Sequence, residues 1–129
     1  RIIRFGGEAR VMVAEALDDA AHQSIINEFN TARNREYREI LEQCGAFLNE
    51  IKLEIGRENF TGEEVDEIEN DLIKLKRWLQ KVRSKDWFAA SLNSKVDETI
   101  KRCENELQDF ITRVYHSEKT AHERAPLIE

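Results

Sequence analysis

The sequence predicts a mainly α fold: an antiparallel, up-down-up three-helix bundle with a long first helix and a short N-terminal β-strand left over from a truncated α/β unit. Three observations point there. The 129 residues include one Pro and five Gly, too few breakers for a sandwich or barrel. Three long segments carry apolar residues at alternating spacings of three and four, the signature of helices with one buried stripe. The connections between those segments are short, which makes successive helices antiparallel neighbours.

The first element is residues 1–18, expected to be the remnant of an N-terminal α/β unit. Ile2-Ile3-Arg4-Phe5-Gly6-Gly7 reads as the last turn of a helix with a Gly C-cap. Ala9-Arg10-Val11-Met12-Val13-Ala14 is a β-prone run closed by Asp18-Asp19. One strand cannot satisfy its own backbone, so it calls for a sheet outside these residues or for the matching strand of a second copy. Because the chain starts on Arg1, it is expected to be a piece of a longer protein.

The bundle follows over 19–118. The first helix is expected over about 19–55, with Ile26, Phe29, Tyr37, Ile40, Cys44, Phe47, Ile51 and Ile55 on its stripe. The rhythm lapses between Asn30 and Glu36, where Arg33 occupies the seam position. Phe60 precedes Thr61, whose three-residue spacing to Glu64 forms a capping box, with Phe60 and Val65 placed as a hydrophobic staple. The second helix, about 62–87, carries Val65, Ile68, Leu72, Leu75, Leu79 and Val82. The third, about 94–117, is capped by Ser94 and carries Val96, Ile100, Cys103, Leu107, Phe110 and Val114. Residues 119–129 lose the rhythm, pass Pro126 and read as a flexible tail.

Lengths relate the elements to one another. At about 1.5 Å per residue the first helix spans roughly 55 Å and the second about 39 Å, so the first overhangs. Counting back from Gly56 brings the end of the second helix beside position 30 or so of the first, the level at which the apolar rhythm fails.

Composition narrows the function classes. With 40% hydrophobic and 36% charged residues the chain is too apolar for disorder. A net charge of −6 argues against a domain that grips a phosphate backbone over its whole surface. Neither a membrane span nor a signal peptide is visible, so no membrane partner and a cytoplasmic location are expected.

No Cys-x-x-Cys or His-Glu-x-x-His spacing, cofactor motif or catalytic triad is present, so no metal, no cofactor and no enzymatic activity are expected. Cys44 and Cys103 sit on helix seams, where a thiol behaves as a small hydrophobe. Stacking the helices by residue count separates them by about 6 to 7 Å along the axis. With the lateral gap added, that is too far for a disulfide, and reduced thiols are expected.

The second helix is acidic first and basic later, an order that helix-dipole electrostatics alone would produce. Its basic half raises two further readings. Arg83 and Lys85 come up beside Arg33 and Arg35 of the first helix, next to Trp87, and could form a small electropositive pocket for a tetrahedral oxyanion. The structural alternative is that Asp86 serves as partner at this junction by pairing with the seam residue Arg33. Lys74, Arg77 and Lys81 are the candidate nucleic-acid contacts.

The order Asn27-Glu28-Phe29-Asn30, Glu36-Tyr37, Asn59-Phe60-Thr61, Leu75-Lys76-Arg77-Trp78-Leu79, Arg83-Ser84-Lys85-Asp86-Trp87-Phe88 and Arg113-Val114-Tyr115 resembles the N-terminal region of the ChrB chromate-resistance family. The resemblance spans roughly residues 6 to 115. Where the family pattern continues from its aromatic pair with Gly-Ala, this chain has Ala89-Ala90. The resemblance implies a regulatory or sensor domain of a chromate-responsive transcriptional regulator, with chromate or sulfate as ligand and DNA as a partner only in the full-length protein. The alternative is a structural module without a ligand, dimerising through the N-terminal strand and the first helix.

Overall fold

The computed structural model describes residues 19–57 and 62–124. It consists of three helices: α1 over Asp19–Arg57, α2 over Gly62–Arg83 and α3 over Asn93–Arg124. All three pack on one another. Their partners fix the directions. Tyr37 lies beside Asp86 while Phe47 lies beside Leu75, so α1 and α2 run antiparallel. Arg83 meets Asp97 and Lys76 meets Glu104, so α2 and α3 do too. The result is the up-down-up bundle that the spacing predicts.

The seams close as the periodicity requires. Tyr37, Ile40, Cys44, Phe47 and Ile51 of α1 meet Ile68, Leu72, Leu75, Leu79 and Val82 of α2 and Val96, Ile100, Cys103, Leu107, Phe110 and Val114 of α3 in one core. Full burial of a side chain of this size contributes about 1.5–3 kcal/mol, so the seams dominate the stability. Near the C-terminal end of α1 the buried position falls to Glu54, and Ile55 is only half-buried.

Three boundaries differ from the spacing. α2 ends at Arg83 rather than near position 87. Its last carbonyls are taken by tight turns, in which the amides of Ser84, Lys85 and Asp86 donate to Gln80, Val82 and Arg83. The apolar pair Trp87-Phe88 prolongs the hydrophobic run in the sequence but belongs to the loop. α3 starts at Asn93, so Ser94 falls inside its first turn, and it runs to Arg124, past position 117. The strand expected over 9–14, the Thr61 capping box and residues 125–129 lie outside the described residues.

The two cysteines are free thiols, as expected, and the structure shows them in contact. Cys44 and Cys103 meet across α1 and α3, with Cys103 Sγ donating to the Cys44 carbonyl at 3.9 Å. Both thiols are buried and free. Among the described residues, no helix is long and apolar enough to cross a membrane, and no three His, Cys, Asp or Glu could hold a metal ion together.

Candidate functional site

The site lies where the loop between α2 and α3 folds back on the middle of α1. Its centre is Tyr37, fully buried on the α1 seam. A buried tyrosine must find a partner for its hydroxyl. Here the hydroxyl donates to Asp86 Oδ2 at 2.7 Å, and Asp86 Oδ1 accepts from the Ala90 amide at 2.8 Å. Asp86 therefore ties the loop to α1 and shapes the loop from within. Burial pushes the Tyr37 hydroxyl well above its ordinary pKa, and the hydrogen bond and charge of Asp86 add to that, with Arg83 opposing.

A second tie runs through Asn34, one turn before the tyrosine. Its Oδ1 accepts from the Leu92 amide at 3.1 Å, and its Nδ2 donates to Ser91 Oγ at 3.2 Å. Aromatic contacts finish the loop side: the Phe29 ring stands 5.1 Å from that of Trp87 and 5.6 Å from that of Phe88. Between these features Ala89 adopts a left-handed backbone with φ of 51°. An L-residue pays about 1–2 kcal/mol for that conformation, which glycine adopts freely.

The structure brings part of the predicted cationic cluster together and disperses the rest. Arg33 is largely buried, with its side chain 15% exposed, and pairs with Glu36 at 2.8 Å. Its other terminal nitrogen makes a long 3.5 Å bond to the Lys85 carbonyl. Lys85 reaches the second oxygen of the same Glu36 at 3.1 Å, so one carboxylate stands between two cations.

Arg83 points elsewhere, donating to Asn93 Oδ1 at 2.9 Å and pairing with Asp97 of α3. Arg35 is exposed and sits along α1 with Gln23, Asn27 and Thr31, away from Arg33, as residues two apart on a helix must be. Arg33 thus pairs with Glu36 rather than with Asp86, whose two oxygens accept from the Tyr37 hydroxyl and the Ala90 amide. Lys74, Arg77 and Lys81 are exposed on α2, and Lys74 also lines the groove between α1 and α2 beside Trp78.

Two buried polar atoms at the junction are unmatched. Arg33 Nε and Asn30 Oδ1, a donor and an acceptor one turn apart, have no hydrogen-bond partner among the described residues. Sequence reasoning found Arg33 through the broken rhythm but missed Tyr37, Asn34 and Glu36 as junction residues. The available signal for Tyr37 was a phenol on an otherwise apolar stripe.

Fold and junction together define a helical-bundle domain whose helices are tied at one end by a polar loop. The family described as Protein ChrB, N-terminal, matches residues 1–121. The chain belongs to this family, and with it to the proteins associated with chromate resistance. No curated protein and no solved structure matches the chain.

Proposed function

We propose that this chain is a non-catalytic regulatory domain of a chromate-resistance protein, and that it registers a tetrahedral oxyanion, chromate or sulfate, at the loop junction. In this reading the anion takes the place of Glu36 between Arg33 and Lys85. The carrying observation is the buried Arg33 guanidinium, held by a single carboxylate that it shares with Lys85 and keeping an Nε donor without an acceptor. A tetrahedral anion offers acceptors to both cations and to that donor. Lys85 directly precedes Asp86, so freeing Glu36 loosens the residue next to the tie that holds the loop. Transcriptional control would then pass to the full-length protein, with DNA contact through Lys74, Arg77 and Lys81 and dimerisation through the segment before α1 and α1 itself.

Calorimetry with chromate and with sulfate tests this. Glu36→Gln removes the competing carboxylate and should tighten binding several-fold, while Arg33→Ala should abolish it. No binding heat from either the unchanged protein or Glu36→Gln would sink the reading. A second reading, a structural or interaction module without a ligand, is favoured by one observation: Arg33, Lys85 and Arg83 each already have a carboxylate partner.

A further inference from the structure

The chain has two cysteines, and the fold puts them against each other. Both are 0% exposed, in the middle of the α1–α3 seam, and the Cys103 thiol donates to the Cys44 carbonyl at 3.9 Å. A pair placed in this way differs from two thiols that merely fill space. Cys103 is engaged as donor to that carbonyl, which leaves Cys44 the more readily deprotonated of the two, in line with a lowered pKa at Cys44 and a raised one at Cys103.

Residues next to the pair in the chain line a groove that opens to solvent. A groove of about 380 Å³ runs along the α1–α3 seam, lined by Gly45, Lys52 and Arg102 among others. Gly45 and Arg102 are the chain neighbours of the two cysteines. Gly45 contributes no side chain, and a Cβ built there would meet nothing within 4 Å. The Arg102 charge favours the thiolate of Cys103.

We propose that Cys44 and Cys103 form a redox-active dithiol that a small hydroperoxide closes into a disulfide joining α1 to α3. The Cys44 thiolate attacks the peroxide, forming an S–O bond as the O–O bond breaks, and the departing oxygen takes up the thiol proton. Cys103 sulfur then attacks Cys44 Sγ, forming the S–S bond as the S–O bond breaks, and water leaves with the Cys103 proton. Two thiols lose two hydrogens and two electrons, and hydrogen peroxide becomes two waters. The closed form spans a long loop of chain and so restricts the unfolded state, which raises the unfolding midpoint. This inference is independent of the oxyanion reading at the junction.

The test is hydrogen peroxide added to the folded chain, followed by intact mass and by alkylation under denaturing conditions. The expected result is loss of two hydrogens, both thiols protected from alkylation, and full reversal by a dithiol reductant. Gly45→Leu puts a side chain at the groove from a position where a Cβ meets nothing within 4 Å, and should slow closure several-fold. Two thiols that stay alkylatable, oxygen added instead of hydrogen lost, or cross-linking between chains would overturn the proposal. Equal closure rates in Gly45→Leu would overturn the route.

Discussion

The two ends of the bundle treat buried polarity in opposite ways. At the loop end, the Tyr37 hydroxyl, both Asp86 oxygens, the Asn34 amide and the Ala90 and Leu92 amides find one another, leaving only Arg33 Nε and Asn30 Oδ1 unmatched. At the end where α1 gives way to α2, Glu54 is 9% exposed, one of its oxygens has no partner, and Arg57 holds the other at 2.8 Å. Burial pushes the pKa of nearby Glu50 up, as do the charges of Asp71, Glu54 and Glu67. Glu50 and Glu54 also lie toward the C-terminal end of α1, where the helix dipole disfavours negative charge. Matched neutral groups fix one loop conformation. Crowded like charges leave a place where stability can be gained.

Three substitutions sharpen that contrast. Asp86→Ala should have the largest effect, because it strands the buried Tyr37 hydroxyl and the Ala90 amide. Chemical denaturation should show a loss of about 3 kcal/mol, since each unsatisfied buried group costs about 1–3 kcal/mol. A loss no greater than that of an exposed surface change would remove Asp86 from the centre of the junction. Ala89→Gly should act in the other direction, relieving the left-handed backbone and stabilising the chain by about 1 kcal/mol, offset in part by the greater freedom of glycine when unfolded. An unchanged or lower melting midpoint would show that the loop does not need that backbone.

The smallest effect belongs to the acidic end. Glu50→Gln should stabilise by less than about 1 kcal/mol at neutral pH, as expected for a partly exposed charge. The folded-state pKa of Glu50 is raised, so the folded state binds its proton more tightly than the unfolded state. The charged form therefore costs stability once the pH has risen through the folded value, and that cost is gone below the ordinary glutamate range. Denaturant midpoints across this window should converge for Glu50→Gln and the unchanged protein as the pH falls. A gain that persists under acidic conditions would point to packing instead of charge.

The core was legible in the sequence and most of the junction was not. The seams from Tyr37 to Ile51, Ile68 to Val82 and Val96 to Val114 follow directly from spacing, because helical periodicity is local. Arg33 was visible as a break in that rhythm. Its partner, Glu36, is one turn away on the same helix, whereas the level count pointed across to Asp86. The bonds from Asn34 to Ser91 and Leu92 join residues far apart in the sequence and depend on a loop whose shape no local pattern encodes. The end of α2 was misplaced because Trp87 and Phe88 extend the apolar run while Asp86 turns the chain. The bond from Cys103 to the Cys44 carbonyl likewise joins residues far apart in the sequence, while the reduced state of both thiols follows from their place on the seams.

The central claim, that an oxyanion acts at the junction through Arg33, is most directly tested by the emission of Trp87. The chain has two tryptophans, so Trp78→Phe leaves Trp87, whose ring lies 5.1 Å from that of Phe29 one turn before Arg33, as the sole reporter. Sulfate added to that variant is predicted to give a saturable change in emission that Arg33→Ala removes. Emission indifferent to sulfate, or equally responsive without Arg33, would contradict it.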